Sequence, residues 1–169
     1  MRKQVIGVIG GHDCTPEVEQ IAQEIGKKLS KVANYLVCGG LSGTMQAVCK
    51  GFKAENNVTI GIIPSYDKKD ANSYIDIVIP TGLGLARNVL VVKTADVVVA
   101  LPGKSGTLSE IAYCLQFGIP VISLAPLEIP QDKTMTTKFL TGLNSWDIEG
   151  VIKVKTAEEA AKRVSELLK

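Results

Sequence analysis

A chain of 169 residues, 46% hydrophobic but only 5% aromatic, is long enough for one continuous core, and Val, Ile, Leu and Ala must supply it, as in a parallel sheet covered by helices. The net charge of +2, with Lys and Arg scattered instead of massed in a stripe, argues against nucleic acid or an anionic membrane as a partner. No run approaches the roughly 20 apolar residues that cross a bilayer.

The run after Arg2 and Lys3 is broken by Gly7 and Gly10-Gly11 and is too short for a signal-peptide core. Cys14, Cys38, Cys49 and Cys114 show no C-x-x-C pair and no metal-ligand spacing with His12, the single histidine. The expectation is a soluble cytoplasmic protein with reduced thiols, no metal and one domain spanning 1–169.

In chain order, Gln4 to Ile9 reads as a strand, and Gly10-Gly11-His12-Asp13 turns out of it. Thr15 suits an N-cap and Pro16 the first helical position. Val18, Ile21, Ala22, Ile25, Leu29 and Val32 then recur at helical spacing as one buried stripe. Tyr35 to Cys38 is the second strand, followed by Gly39-Gly40-Leu41-Ser42-Gly43 and a helix from about Thr44 to Phe52.

Val58 to Ile63 and Ile75 to Ile79 are further strands, closed by Pro64 and Pro80, with a polar loop over Ser65 to Ser73 between them. Gly82 and Gly84 open a helix carrying Arg87 and Asn88 near its start. Its Val89, Leu90 and Val92 make it apolar on more than one side, as expected if one face meets a second copy of the chain. Asp96 to Leu101 is a strand leading into a helix that ends at Gly118, before Pro120.

Val121 to Leu124 is another buried strand. Periodicity fails from Ala125 to about Gly150, where a lid or packed excursion with some helix around Phe139 is expected. Val151 to Lys155 is the last strand. Thr156 and Glu159 form a capping box for a terminal helix whose stripe is Ala160, Ala161, Val164, Leu167 and Leu168. The alternation of strand and helix predicts an α/β fold, an open parallel sheet with helices on both faces.

In such a sheet every strand-to-helix turn lies on one edge, so the glycine-rich turns at Gly10-Gly11, Gly39-Gly40-Gly43 and Gly103–Thr107 converge on one crevice. Ala100 to Glu110 is the central stretch: strand, tight turn, helix N-terminus. Unpaired N–H groups in a first helical turn suit a phosphate or carboxylate, and Gly103 and Gly106 would let it approach the backbone. Gly103-Lys104-Ser105 matches the end of a P-loop, but Val98 stands where its first Gly belongs, so a Walker-type nucleotide triphosphatase is excluded. No stretch after a strand carries a complete dinucleotide fingerprint either.

Each of these residues has a plainer reading. Thr107 and Glu110 have the spacing of a capping box, in which Glu110 would bind back to the Thr107 backbone. Arg87 can be an ordinary surface arginine, Lys104 a solvated loop residue and His12 a turn residue. On the functional reading, Glu110 stands beside a bound anion, and Arg87 reaches it from one βα unit away across adjacent strands.

Val37 to Met45 (Val-Cys-Gly-Gly-Leu-Ser-Gly-Thr-Met), Gly84 to Asn88 (Gly-Leu-Ala-Arg-Asn) and Pro102 to Glu110 (Pro-Gly-Lys-Ser-Gly-Thr-Leu-Ser-Glu) resemble the three motifs of the LOG-like Rossmann family, long mislabelled as lysine decarboxylases. The resemblance runs from the first strand to the last helix. It implies a Rossmann-like fold, and the best-known members are phosphoribohydrolases that split a nucleoside 5′-monophosphate into free base and ribose 5-phosphate.

In those members a P-G-G-x-G-T-x-x-E motif holds the phosphate and supplies an essential Glu, matched here by Glu110. An essential Arg in the preceding helix matches Arg87. The ligand-binding set implied here is Gly10, Gly11, Gly39, Gly40, Gly43, Gly103, Lys104, Ser105, Gly106 and Thr107. Lys104 departs from the motif by replacing its second Gly, which either narrows the cradle or adds an ammonium contact to phosphate.

The Gly-Leu-Ala-Arg-Asn segment is similar to a short branch of the family that includes a molybdenum-cofactor carrier protein. The resemblance therefore implies a small phosphorylated ligand and a homodimer or larger assembly. Two functions stay open: hydrolysis of a nucleoside monophosphate with no cofactor required, or carriage of molybdenum cofactor or a related phosphorylated heterocycle without turnover.

Overall fold

The computed structural model describes residues 3–53, 57–124 and 150–169. Seven strands form one parallel sheet: β1 (Val5–Ile9), β2 (Tyr35–Cys38), β3 (Val58–Ile63), β4 (Ile77–Pro80), β5 (Val97–Ala100), β6 (Val121–Leu124) and β7 (Val151–Val154). Their order across the sheet is β4-β3-β2-β1-β5-β6-β7. The chain thus works outward from β1 to one edge, then returns across the sheet to β5 and works outward the other way. This reversal between β1 and β5 is the topological switch point of an open α/β sheet.

Alternation along the strands sorts the core into two layers. Ile6 and Val8 of β1, Leu36 of β2 and Val97 and Val99 of β5 pack with Ala22, Ile25 and Leu29 of α1 (Pro16–Leu29), Val48 and Phe52 of α2 (Thr44–Phe52), and Ala160 and Val164 of α5 (Ala157–Leu167). Ile9, Val37, Val98 and Ala100 pack on the opposite face with Val91 and Val92 of α3 (Asn88–Thr94) and Ile111 and Cys114 of α4 (Ser105–Phe117). Helices therefore cover both faces, as the alternation predicts. Among the described residues no helix is long and apolar enough to cross a membrane.

Local signals account for most of the boundaries. Thr15 caps α1 by accepting from the Val18 N–H at 3.4 Å, with Pro16 in the first turn. Thr156 accepts from Glu159 N–H at 3.1 Å, and the Glu159 carboxylate accepts from Lys155 N–H at 2.7 Å, so the capping box closes one residue upstream of its usual return bond. Gly118 ends α4 in the left-handed region, at φ 66°. Leu167 is a correction, because it stands 41% exposed and Ala157 completes the buried stripe instead.

Three boundaries depart from the periodicity by two or more residues. α1 ends at Leu29, which leaves Val32 of the expected stripe in the turn beyond it. β4 begins at Ile77 and not at Ile75, because Asn72 and Asp76 hold the approach: Tyr74 N–H donates to Asn72 Oδ1 at 3.0 Å, and Thr59 N–H to Asp76 Oδ2 at 2.9 Å. The helix expected after Gly82 starts as a 3-10 turn over Gly84–Arg87 before α3 begins. The excursion expected over 125–150, with its helix around Phe139, lies outside the described residues but for Gly150.

Gly26 in α1 and Gly51 in α2 are where the two helices touch. A Cβ on Gly26 would lie 2.2 Å from the Val48 carbonyl oxygen, and one on Gly51 would lie 2.0 Å from the Gln23 carbonyl oxygen. Backbone cannot yield as a flexible side-chain tip can, so both positions require glycine. Gly26→Val is expected to lower unfolding free energy by at least ~2 kcal/mol. Urea denaturation should report it as a lower midpoint with an unchanged slope.

Candidate functional site

At the switch point the turns leaving β1 and β5 are bonded to each other. Leu101 N–H donates to the Ile9 carbonyl at 2.9 Å, Gly11 N–H to the Pro102 carbonyl at 2.9 Å, and Thr44 N–H at the start of α2 to the Gly11 carbonyl at 3.0 Å. The β1, β2 and β5 turns are thereby joined into one surface at the C-terminal edge of the sheet. Their glycines make the contact possible. A Cβ on Gly103 would meet Thr107 Oγ1 at 2.0 Å and Gly11 N at 2.9 Å, and one on Gly10 would meet Thr44 Cγ2 at 2.6 Å.

Gly43 adopts φ 65° and presses on the His12 carbonyl, where a Cβ would lie 2.1 Å from the oxygen. The space beside Gly11 is taken by the Asp13 carbonyl and that beside Gly40 by Ile63. Gly106 is different, since a Cβ there would meet only Asn88 Nδ2, at 3.8 Å. Most of these glycines thus serve loop-on-loop packing, and Gly106 alone of those just described has open space beside it.

α4 starts at Ser105, with Lys104 at its N-cap and no side-chain cap. The N–H groups of its first turn precede the first intrahelical bond, Leu108 N–H to the Lys104 carbonyl at 3.1 Å. This corrects the capping-box reading of Thr107 and Glu110. Thr107 is the third helical residue, buried against Gly103, and Glu110 is the sixth, so neither caps the helix. Ser105 is exposed, and Lys104 Nζ reaches Asp13 Oδ2 at 3.2 Å across the gap between the β1 and β5 turns.

Arg87 and Glu110 are each only 6% exposed. Arg87 Nη1 donates to the Ile62 carbonyl at 2.7 Å, its Nε is buried without a hydrogen-bond partner among the described residues, and its guanidinium lies over Gly39, where a Cβ would come within 2.2 Å of Nη1. Among the described residues, no hydrogen bond or salt bridge holds the Glu110 carboxylate. Burial pushes its pKa up to about 7, and the Arg87 charge offsets only part of that. Burial likewise pulls the Arg87 guanidinium down, against the opposing pull of Glu110.

Arg87 does not arrive from an adjacent strand. β4 is the edge strand, and β3, β2 and β1 separate it from β5. Arg87 instead sits at the head of the return connection, over the ends of β2 and β3, which explains its contacts with Gly39 and Ile62.

Two further features went unassigned in the sequence. Asn88, 3% exposed, donates from Nδ2 to Ser109 Oγ at 2.9 Å and to the Gly106 carbonyl at 3.3 Å. Cys38 at the end of β2 lies 3.6 Å from Cys49, sulfur to sulfur, and accepts from Gly40 N–H at 3.3 Å. The Cys49 hydrogen bond, helped by that N–H, holds the Cys38 thiol below its ordinary range despite burial. Nothing in residue spacing pairs β2 with the second turn of α2, so only the fold reveals this contact. His12 faces Ser42, with Oγ 3.2 Å from Nδ1, at a polar cavity of about 340 Å³ also lined by Asp13, Glu19, Gln46, Lys50 and Tyr74.

Fold and site together define a Rossmann-like parallel α/β protein whose candidate crevice opens at the switch point, with an uncapped helix N-terminus and a buried Arg–Glu couple. The chain belongs to the SLOG cluster4 family, whose profile matches residues 3–161. It is 40% identical over 127 residues to an uncharacterized protein of Archaeoglobus fulgidus, covering 75% of this chain and 83% of that one.

Among solved structures it is similar to the molybdenum cofactor binding protein of Rippkaea orientalis, at 32% identity and TM-score 0.82, covering 100% of this chain and 99% of that one. It is also similar to the molybdenum cofactor carrier protein of Chlamydomonas reinhardtii, at 32% identity and TM-score 0.80, with 99% of each chain covered. DNA processing protein A of Helicobacter pylori, at 19% identity, TM-score 0.70 and coverage of 97% of this chain and 81% of that one, shares the fold alone.

The raised pKa of Glu110 makes stability depend on pH. A carboxyl raised from 4.5 to about 7 by folding contributes fully below the lower value, and the contribution is lost as pH rises through the upper one. Glu110→Gln removes this titration. Its stability relative to the parent should therefore improve between pH 4 and pH 8, by on the order of 3 kcal/mol, in paired denaturant titrations.

Proposed function

We propose that this protein binds a phosphorylated heterocycle over the joined β1, β2 and β5 turns, beside the start of α4, and carries it without chemical change, the ligand being molybdenum cofactor or a closely related pterin phosphate. The observation that carries the reading is the buried couple of Arg87 and Glu110 beside the uncapped N-terminus of α4. Desolvated charged groups without full pairing are costly unless something completes them. A ligand with a phosphate for the first turn of α4, an acceptor for Arg87 Nε and N–H donors for Glu110 would do so. The molybdenum cofactor proteins that this chain resembles along nearly its whole length support the choice of ligand.

In this arrangement the phosphate sits on the backbone N–H groups of Gly106 and Thr107, and Lys104 exchanges Asp13 for a phosphate oxygen. Gly106→Val puts a side chain into the open space beside the first turn of α4 and should abolish binding. Thermal scanning of parent and variant with molybdenum cofactor, nucleoside monophosphates and ribose 5-phosphate is the test. A bound ligand raises the melting temperature by mass action. If none of them at millimolar concentration shifts the parent, the proposal fails.

The position of Glu110 favours a second reading, hydrolysis of the N-glycosidic bond of a nucleoside 5′-monophosphate. Cleavage leaves positive charge on the ribose, which an ionised Glu110 would stabilise while orienting the attacking water. Glu110→Gln should then retain ligand affinity and lose on the order of a hundredfold or more in rate. Chromatographic detection of free base, released by the parent and not by that variant, would replace carriage with catalysis.

The same proposal includes self-association. Tyr66, Leu83, Leu85 and Leu90 are exposed by 87%, 53%, 74% and 39%, clustered around the 3-10 turn that leads into Arg87. Val91 and Val92 of α3 face inward instead. An apolar patch of this kind suits a second copy of the chain. Leu85→Glu is expected to convert a dimer into a monomer in light scattering, and a parent of monomer mass at micromolar concentration would refute the assembly.

A further inference from the structure

The proposed function uses Arg87 and Glu110 but leaves open what sets the distance between them. They belong to different segments, the 3-10 turn before α3 and the second turn of α4, and buried opposite charges attract strongly where the dielectric is low. Among the described residues, no salt bridge joins them. Some element must hold the gap.

Asn88 occupies the place where such an element is needed. It is the residue after Arg87 and opens α3. Its Nδ2 donates to Ser109 Oγ at 2.9 Å and to the Gly106 carbonyl at 3.3 Å, while Ser109 Oγ donates to that same carbonyl at 2.7 Å. Ser109 immediately precedes Glu110, and in an α-helix the Gly106 carbonyl is the acceptor for the Glu110 amide. Both hydrogen bonds of the Asn88 side chain, one to a hydroxyl and one to a carbonyl, therefore end on the helical turn that carries Glu110. Asn88 is 3% exposed, so these bonds are largely shielded from water.

We propose that Asn88, acting through Ser109 and the Gly106 carbonyl, is a positioning residue that holds Arg87 and Glu110 apart and so keeps their facing atoms available to a ligand. This rests on Arg87 and Glu110 facing the ligand, but its test needs no ligand. The charged and titratable groups around Glu110 are Arg87 from the turn before α3, Cys38 from β2 and Cys114 from its own helix. Of these, Arg87 is the cation, and its approach stabilises the ionised carboxylate.

Titration of the Glu110 side-chain carboxyl by carbon-detected NMR reads the gap directly. Asn88→Ala should lower the Glu110 pKa by about one unit, roughly tenfold in proton affinity, as Arg87 closes in. Water entering a loosened core would lower it too, so the decisive arm repeats the substitution in an Arg87→Met background. There the shift should vanish, because the coupling runs through Arg87. A shift of the same size in both backgrounds, or none in either, overturns the proposal.

Should Asn88→Ala not fold, Ser109→Ala, which removes one of the two acceptors, carries the same pair of titrations. It should give a smaller shift of the same sign in the Arg87 background only. Failure of the parent to bind any pterin or nucleotide would overturn the proposed function and leave these titrations as they stand.

Discussion

The contact between the β1 and β5 turns governs the whole site. Two strands adjacent in space but separated by most of the fold's first half end side by side, and the bond from Gly11 N–H to the Pro102 carbonyl joins the loops beyond them. The approach is so close that Gly103 and Gly11 have protein atoms where a side chain would begin. The direction of α4 follows from this, and with it the position of Glu110. A single methyl group at Gly103 would push Thr107 and the first turn of α4 away from the crevice.

A second constraint is electrostatic. Arg87 and Glu110 are removed from water without being joined, an arrangement that destabilises the folded chain unless neighbouring groups hold it in place. Arg87 is anchored on the Ile62 carbonyl and seated on Gly39, and the Asn88–Ser109 bond fixes the opposing helix. The energy stored in incomplete pairing is what a complementary ligand recovers on binding.

Most of the architecture was legible because it rests on local chemistry. Thr15-Pro16, Gly118 and Thr156 with Glu159 mark helix ends that formed as their residue types require, and the apolar runs became strands with both faces covered. The site was legible in part. The glycine turns follow from local pattern, whereas the route by which Arg87 arrives depends on strand order, which no periodicity encodes. The T-x-x-E spacing of Thr107 and Glu110 offered a capping box that did not form, for a related reason: where a helix begins within a glycine-rich turn depends on the packing of Gly103 against Gly11. Gly26 and Gly51 are unremarkable in sequence because closeness between helices leaves no periodic trace.

The pairing of Lys104 with Asp13 spans the mouth of the crevice, both side chains being more than half exposed. On the proposed reading, Asp13 is a tethered counterion, and an arriving phosphate takes its place instead of displacing mobile ions from solution. Dissolved salt screens the outgoing and the incoming attraction alike. Affinity for an anion should accordingly vary less with ionic strength than an exposed lysine would suggest, and cargo exchange would proceed much alike in dilute and concentrated surroundings.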